Sequence, residues 1–246
     1  MTADTAALKR LWMQAFGDPE EIPDAFFATA FSPARHRAIW GNGIPVSALY
    51  WFDCSCQGIP FAYIYAVATD SAFRGQGYAG RLLEATHKQL TQEGYAGAVL
   101  VPGEPWLFAF YQKYDYRVFS TVREFTCTQG KQTVDLRRLD SACYAKERKK
   151  YLPAEGILQE GAALDFLQTQ AEFYEGNDFL LAASQQGDTL VVHELLGNSQ
   201  AAPGILTALK IPKGRFRTPG SDRDFAMLLP LRNDCPTPSY FGLSLD

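Results

Sequence analysis

The chain has 246 residues, 47% of them hydrophobic, and a formal net charge of −4. That length allows one large domain or two modest ones around a sizeable core. The acidic balance argues against a nucleic-acid surface, which needs a basic field. No apolar run approaches the ~20 residues of a membrane span, and the N-terminal stretch MTADTAALKRLW lacks a signal-peptide core. The five cysteines, at 54, 56, 127, 143 and 235, have neither disulfide-framework nor zinc spacing. Reduced thiols in a cytoplasmic protein are expected, with no metal, no nucleic acid and no membrane among its partners.

Ala6, Leu8, Leu11, Trp12, Ala15 and Phe16 recur at helical spacing, so residues 3–16 read as an amphipathic helix, stopped by Gly17-Asp18-Pro19. Pro23 and Asp24 open a second helix carrying Ala25, Phe26, Phe27 and Phe31. Residues 36–40 and 46–53 read as strands joined by Gly41-Asn42-Gly43. After a turn at Gly58, Ile59 to Thr69 is apolar on both faces, as a central strand of a covered sheet would be. It feeds Arg74-Gly75-Gln76-Gly77-Tyr78-Ala79-Gly80, and a helical pattern follows to about Glu93. Strand, glycine loop and helix start make an anion cradle: loop amides point outward, the helix dipole favours negative charge, and glycine permits close approach.

A tight strand–helix turn also favours glycine, so two glycines alone do not prove a cradle. The glycines at 75, 77 and 80 satisfy a bare G-x-G-x-x-G pattern. The loop follows several strands, however, and no acidic residue ends a later strand at the required distance, which argues against a dinucleotide site. On the helix, Leu82, Leu83, Thr86 and Leu90 form the buried stripe, and His87 falls towards the polar side as a solvated histidine. A buried strand over 96–101, a Pro105-initiated helix from Trp106 to Tyr114 and closing strands over 116–127 complete the first half.

Arg74-x-x-Gly77-x-Ala79, within Thr69-Asp-Ser-Ala-Phe-Arg-Gly-Gln-Gly-Tyr-Ala79, resembles the acetyl-CoA pyrophosphate motif of the GNAT superfamily of N-acetyltransferases. Phe110-Tyr111-Gln-Lys-Tyr-Asp-Tyr116 is similar to the helix end that accompanies it. The resemblance covers roughly residues 1–128 and implies an α/β (α+β) fold with a mixed, mostly antiparallel sheet flanked by helices. It implies acetyl-CoA as co-substrate, held by Arg74, Gly75, Gln76, Gly77, Tyr78, Ala79 and Gly80. Backbone groups of Val67, Ala68 and Thr69 would pair the pantetheine arm and the acetyl carbonyl, and Tyr111 would act as general acid. A packing tyrosine would satisfy the same pattern. Two positions depart from the family: Glu104 stands where an asparagine often opens the helix, and Asp115 where glycine precedes the last aromatic.

Gln129-Gly130-Lys131 is the candidate boundary between domains 1–129 and 130–246. Beyond it, residues 142–152 read as a helix whose Lys146, Arg148, Lys149 and Lys150 form a solvated face, and 162–174 as another. Strands are expected over 178–184 and 189–196, around 216, and over 225–231 and 240–245, with a short helix over 203–210. The order echoes the first half, but the junction at Gly197 has no arginine and no glycine motif. It reads as a second, degenerate GNAT-like unit that does not hold coenzyme, a tandem similar to the mycobacterial enhanced-intracellular-survival acetyltransferases. In that group a terminal carboxylate serves as base, which by position implies Asp246; an ordinary chain end is the alternative. The function implied is transfer of an acetyl group to a primary amine, on a small molecule or peptide, by direct attack in a ternary complex. A non-catalytic acyl-CoA-binding or regulatory module, and transfer of aminoacyl or longer acyl groups, are the rival readings. A homo-oligomer is left open.

Overall fold

The computed structural model describes residues 3–245, which carry seven α-helices and twelve strands. They form two units. The first takes the chain to Leu100 with Glu104–Arg117 and Leu228–Pro236; the second takes Val101–Gly103, Val118–Met227 and the chain from Thr237.

In the first unit, α1 (Ala3–Phe16) buries Leu8 and Leu11 against Ala48 and Ala68, as its helical stripe requires. Next come α2 (Glu21–Thr29), β1 (His36–Gly41), β2 (Ile44–Cys56) and β3 (Ile59–Thr69). β1 pairs antiparallel with β2, and β2 with β3. The chain continues through α3 (Tyr78–Gln92), β4 (Gly97–Leu100) and α4 (Pro105–Gln112). β4 lies parallel to β3, in register from Phe61–Gly97 to Tyr63–Val99. The predicted second helix starts two residues earlier than Pro23, with Glu20 as its N-cap residue. Proline is tolerated there because the first-turn amides lack intrahelical partners in any case.

The second unit begins within β5 (Arg117–Thr128), a single strand where closing strands were expected, and continues with β6 (Arg137–Leu139), α5 (Ser141–Tyr151) and β7 (Leu158–Gln159). Then follow α6 (Ala162–Leu167), β8 (Glu172–Glu175), β9 (Phe179–Gln186), β10 (Thr189–Gly197), α7 (Ala202–Leu209) and β11 (Lys213–Pro219). The last strand, β12 (Arg223–Pro230), starts in this unit, and its residues from Leu228 belong to the first. The order β5-β11-β10-β9-β8-β6 leaves Leu190, Val192 and Phe216 packed with Ile205 and Leu206 of α7.

Three expectations fail in this unit. The helix over 162–174 stops at Leu167, and Glu172–Glu175 becomes a strand paired with β9; the β-favouring Phe173 and Tyr174 gain more from the sheet than from another helical turn. Residues 240–245 form no strand. Ser120 Oγ donates to the Phe241 carbonyl at 2.9 Å and accepts the Phe241 amide at 2.9 Å, and Gln159 Nε2 donates to the Leu243 carbonyl at 3.0 Å. Side chains thus satisfy this buried backbone in place of a ladder. Arg148, expected on a solvated face, is fully buried and gives Glu194 a two-pronged ion pair at 2.7 and 2.9 Å.

The two units share a local plan. β2–β3 and β9–β10 are antiparallel pairs with a register shift in each. A 3₁₀ turn follows β3, where Asp70 accepts the Ala72 amide at 2.8 Å, and another follows β10, where Asn198 accepts the Gln200 amide at 2.9 Å. A helix comes next, and then a strand parallel to the second of the pair, β4 beside β3 in one unit and β11 beside β10 in the other.

Candidate active site

At Ala66 the backbone turns to φ +48°, and the register with β2 jumps from Tyr50–Tyr65 to Ala48–Ala68. Ala66 and Val67 therefore oppose Leu49 alone, a β-bulge that bends the strand. The parallel register of β3 with β4 has already ended at Tyr63–Val99, so β3 leaves its neighbour over the segment where Val67, Ala68 and Thr69 stand. These three do not present equivalent groups. The Ala68 carbonyl accepts Ser47 Oγ at 2.7 Å and so faces β2. Strand alternation turns Val67 and Thr69 to the other edge, and the Thr69 carbonyl there accepts Arg74 Nε at 3.3 Å.

The loop that follows is exposed from Arg74 to Gly77. Gly75 and Gly77 take φ +77° and +75°, left-handed values that cost an L side chain about 1–2 kcal/mol. Gly77 is the N-cap of α3 and, lacking a side chain, brings no cap of its own. The first intrahelical bond runs from the Arg81 amide to the Gly77 carbonyl at 3.1 Å. The amides of Tyr78, Ala79 and Gly80 lie ahead of it, at the positive end of a helix macrodipole of roughly half a charge. Arg81 closes the loop's far side, its Nη1 on the Gln76 carbonyl at 3.2 Å and its guanidinium 4.3 Å over the Tyr78 ring. Gly80 differs from its neighbours in being buried, and a Cβ there would stand 2.0 Å from the Tyr114 hydroxyl. Its glycine serves packing.

That contact brings the end of α4 against α3. Tyr111 is buried on α4, and its carbonyl accepts the amides of Tyr114 and Tyr116. The tight reversal needs Asp115 at φ +64°, a left-handed position that short polar residues tolerate better than most. The Tyr111 hydroxyl has no hydrogen-bond partner among the described residues, and burial raises its pKa above the usual tyrosine value. Its ring packs edge-on against Tyr116 at 5.8 Å, and the Tyr116 hydroxyl meets His87 Nε2 at 2.9 Å. His87 is therefore half-buried and bonded, not solvated, and burial lowers its pKa to about 4. Asp246 lies outside the described residues. Among the described residues no cluster of His, Cys, Asp and Glu could hold a metal, and no helix is long and apolar enough to cross a membrane.

The corresponding segment of the second unit is built differently. Its 3₁₀ turn, Ser199–Ala201, runs straight into α7 with no glycine loop between them. Where β10 and β11 part beyond Val192–Phe216, Arg217 Nη1 reaches the His193 carbonyl at 3.5 Å and Thr218 Oγ1 the Leu195 carbonyl at 2.8 Å.

Residues 2–119, which contain the bulged strand, the loop and Tyr111, match the family model described as an acetyltransferase (GNAT) domain. Over residues 2–119 the chain is similar to a GNAT acetyltransferase domain. The GNAT-like fold extends over nearly its whole length. A GCN5-related N-acetyltransferase from Kribbella flavida superposes with a TM-score of 0.67 at 16% identity, over 94% of this chain and 71% of its own. Eis1 from Mycobacterium abscessus gives 0.65 at 11% identity, over 94% and 73%. A putative acetyltransferase from Pyrococcus horikoshii gives 0.68 at 14% identity, over 98% and 92%. At these identities the fold is what is shared. No curated protein sequence matches the chain. The class that goes with a GNAT acetyltransferase domain is acyl-CoA-dependent transfer.

Proposed function

We propose that the first unit transfers the acetyl group of acetyl-CoA to a primary amine by direct attack in a ternary complex. The observation that carries this reading is the exposed, left-handed Gly75–Gly77 loop leading into α3, whose first intrahelical bond starts only at the Arg81 amide. The coenzyme's pyrophosphate would lie against the amides from Gly75 to Ala79, with the Arg74 guanidinium adding a positive charge at the mouth. The pantetheine amides would pair the freed edge of β3 at Val67 and at the Thr69 amide as an added strand does, the Thr69 carbonyl being held by Arg74 Nε. An amide there would also polarise the thioester carbonyl as negative charge develops on it. Ala68 shapes this edge through the Ser47 hydrogen bond and offers no carbonyl to the ligand.

An alkylamine of pKa about 10.4 must lose a proton before it attacks, at roughly 4–5 kcal/mol near neutrality. The departing thiolate, with a pKa near ~8.5, must gain one. Tyr111 is the proposed donor to sulfur, since the hydroxyl of this buried α4 residue has no hydrogen-bond partner among the described residues and is protonated at neutral pH. The second unit is proposed to be a degenerate copy whose strand edge is occupied by Arg217 and Thr218 and which lacks the phosphate loop.

Thiol release from acetyl-CoA with a panel of small amines and peptides tests the reading, alongside coenzyme binding to wild type and Arg74→Ala. Turnover with at least one amine is expected, together with about tenfold weaker coenzyme binding in the variant. Binding without turnover on any amine would instead identify an acyl-CoA-binding module, and unaltered affinity in the variant would remove Arg74 from the cradle.

A further inference from the structure

A cavity of about 150 Å³ opens in the second unit, on the face of β5, β11, β10 and β9 that carries Glu124, Arg215, Arg217, His193 and Gln186. None of its lining belongs to the glycine loop or to Tyr111. Its charges do not balance. Glu124 is the one carboxylate, and it is already engaged by Arg217 Nε at 3.1 Å and Arg223 Nη2 at 2.8 Å. Arg217 is further held by Ser244 Oγ at 3.0 Å and stacks 4.4 Å over Phe225. Arg215 forms no ion pair among the described residues, and its guanidinium acts on His193. His193 contacts Ser184 Oγ through Nε2 at 3.0 Å. Burial first, then Arg217 and Arg215, lower its pKa to about 4, so the ring is neutral at pH 7. Positive charge is thus fixed on one side, and the apolar Val191, the register partner of Arg215, is among the remaining lining.

We propose that this cavity binds a small organic carboxylate, with Arg215 as its anchor. A guanidinium with a free edge matches a carboxylate in two parallel hydrogen bonds, and the Gln186 amide adds a neutral donor. The volume falls below the ~300 Å³ at which drug-sized pockets begin, which limits the ligand to a few carbons. Val191 beside Arg215 favours a carboxylate with a short hydrocarbon part over a fully hydrated phosphate. This site is independent of the acetyl-transfer reading.

The test uses the full chain with its histidine ring signals resolved by NMR, the His193 signal being assigned by its loss in His193→Gln. Malonate, succinate and inorganic phosphate are titrated at constant ionic strength against chloride. Saturable movement of the His193 signal by a dicarboxylate is expected, with His36 and His87 unmoved, weaker by about tenfold or more in Arg215→Gln and less so in Arg215→Lys. Arg215 is exposed, so both variants are expected to fold. Phosphate binding as tightly as the carboxylates, affinity untouched by Arg215→Gln, or no saturation at ~10 mM would each overturn the proposal.

Discussion

His87 on α3 and Tyr116 just beyond α4 meet through Nε2 and the phenol hydroxyl at 2.9 Å. The imidazole is neutral in the folded protein because burial holds its pKa at about 4, against an ordinary value of 6.5. The unfolded chain takes up a proton as pH falls below that ordinary value and the native state does not. Stability from His87 is therefore complete above pH about 6.5, falls at about 1.4 kcal/mol per pH unit below it, and stops falling near pH 4. The whole loss is about 3 kcal/mol. Chemical denaturation between pH 4 and 7 is expected to show a shallower decline in His87→Gln than in wild type. Parallel curves would place His87 in a more polar setting than this.

Tyr111→Phe removes one hydroxyl from a buried ring and leaves the packing against Tyr116 intact. General acids of this kind contribute about 10²–10⁴ in rate. A fall in kcat of about 10² or more is expected, with coenzyme affinity unchanged because the phosphate loop is untouched. Steady-state kinetics with a leaving thiol of lower pKa should recover part of the loss. An unchanged kcat would exclude Tyr111 as the donor.

The loop and the helix after it were legible because glycine at 75 and 77 is required by backbone angles that other residues resist. The strand before it was legible because both faces are apolar. The bulge at Ala66 was not, since alanine at φ +48° carries no compositional sign and the bulge is set by register with β2. His87 and Arg148 were misplaced for one reason. Periodicity says which face a residue is on, but a polar side chain on a buried face finds a partner distant in sequence, Tyr116 in one case and Glu194 in the other. The packing of Gly80 was not legible either, since it depends on Tyr114, 34 positions later in the chain, whose hydroxyl would lie 2.0 Å from a Cβ at Gly80.

Asp115 offers a test of that backbone argument. It occupies φ +64° in the reversal between α4 and β5, and it stands where the family pattern has glycine. Asp115→Gly is expected to raise stability by about 0.5–1 kcal/mol, because relief of the left-handed strain exceeds the extra freedom of the unfolded chain. Asp115→Val is expected to lower it by about 1–2 kcal/mol. Melting temperatures of the two variants should move in opposite directions. Movement in the same direction would mean that the Asp115 side chain, not its backbone angle, matters there.

Arg148 and Glu194 are both fully buried, and the pair is supplemented by the Ile157 carbonyl, which accepts Arg148 Nη1 at 3.1 Å, and by the Tyr144 hydroxyl at 3.4 Å from Glu194. Removing one partner leaves an uncompensated charge in the interior at a cost of about 3–5 kcal/mol. That is a large part of a total stability of about 5–15 kcal/mol. Glu194→Ala is therefore expected to lower the melting temperature by roughly 10 °C. Replacing both with apolar residues of similar size, as in Arg148→Met with Glu194→Leu, removes the charge and its desolvation together, so the double variant should recover most of that loss. Its advantage over Glu194→Leu alone separates a penalty for a stranded charge from a simple cavity, since both carry the same residue at 194 and only the single variant leaves Arg148 unpaired; a cavity would leave the double variant no better than the sum of its two single variants. A double variant as unstable as that sum would assign the cost to lost packing around Tyr144 and Phe173, whose rings stack at 4.2 Å beside the pair.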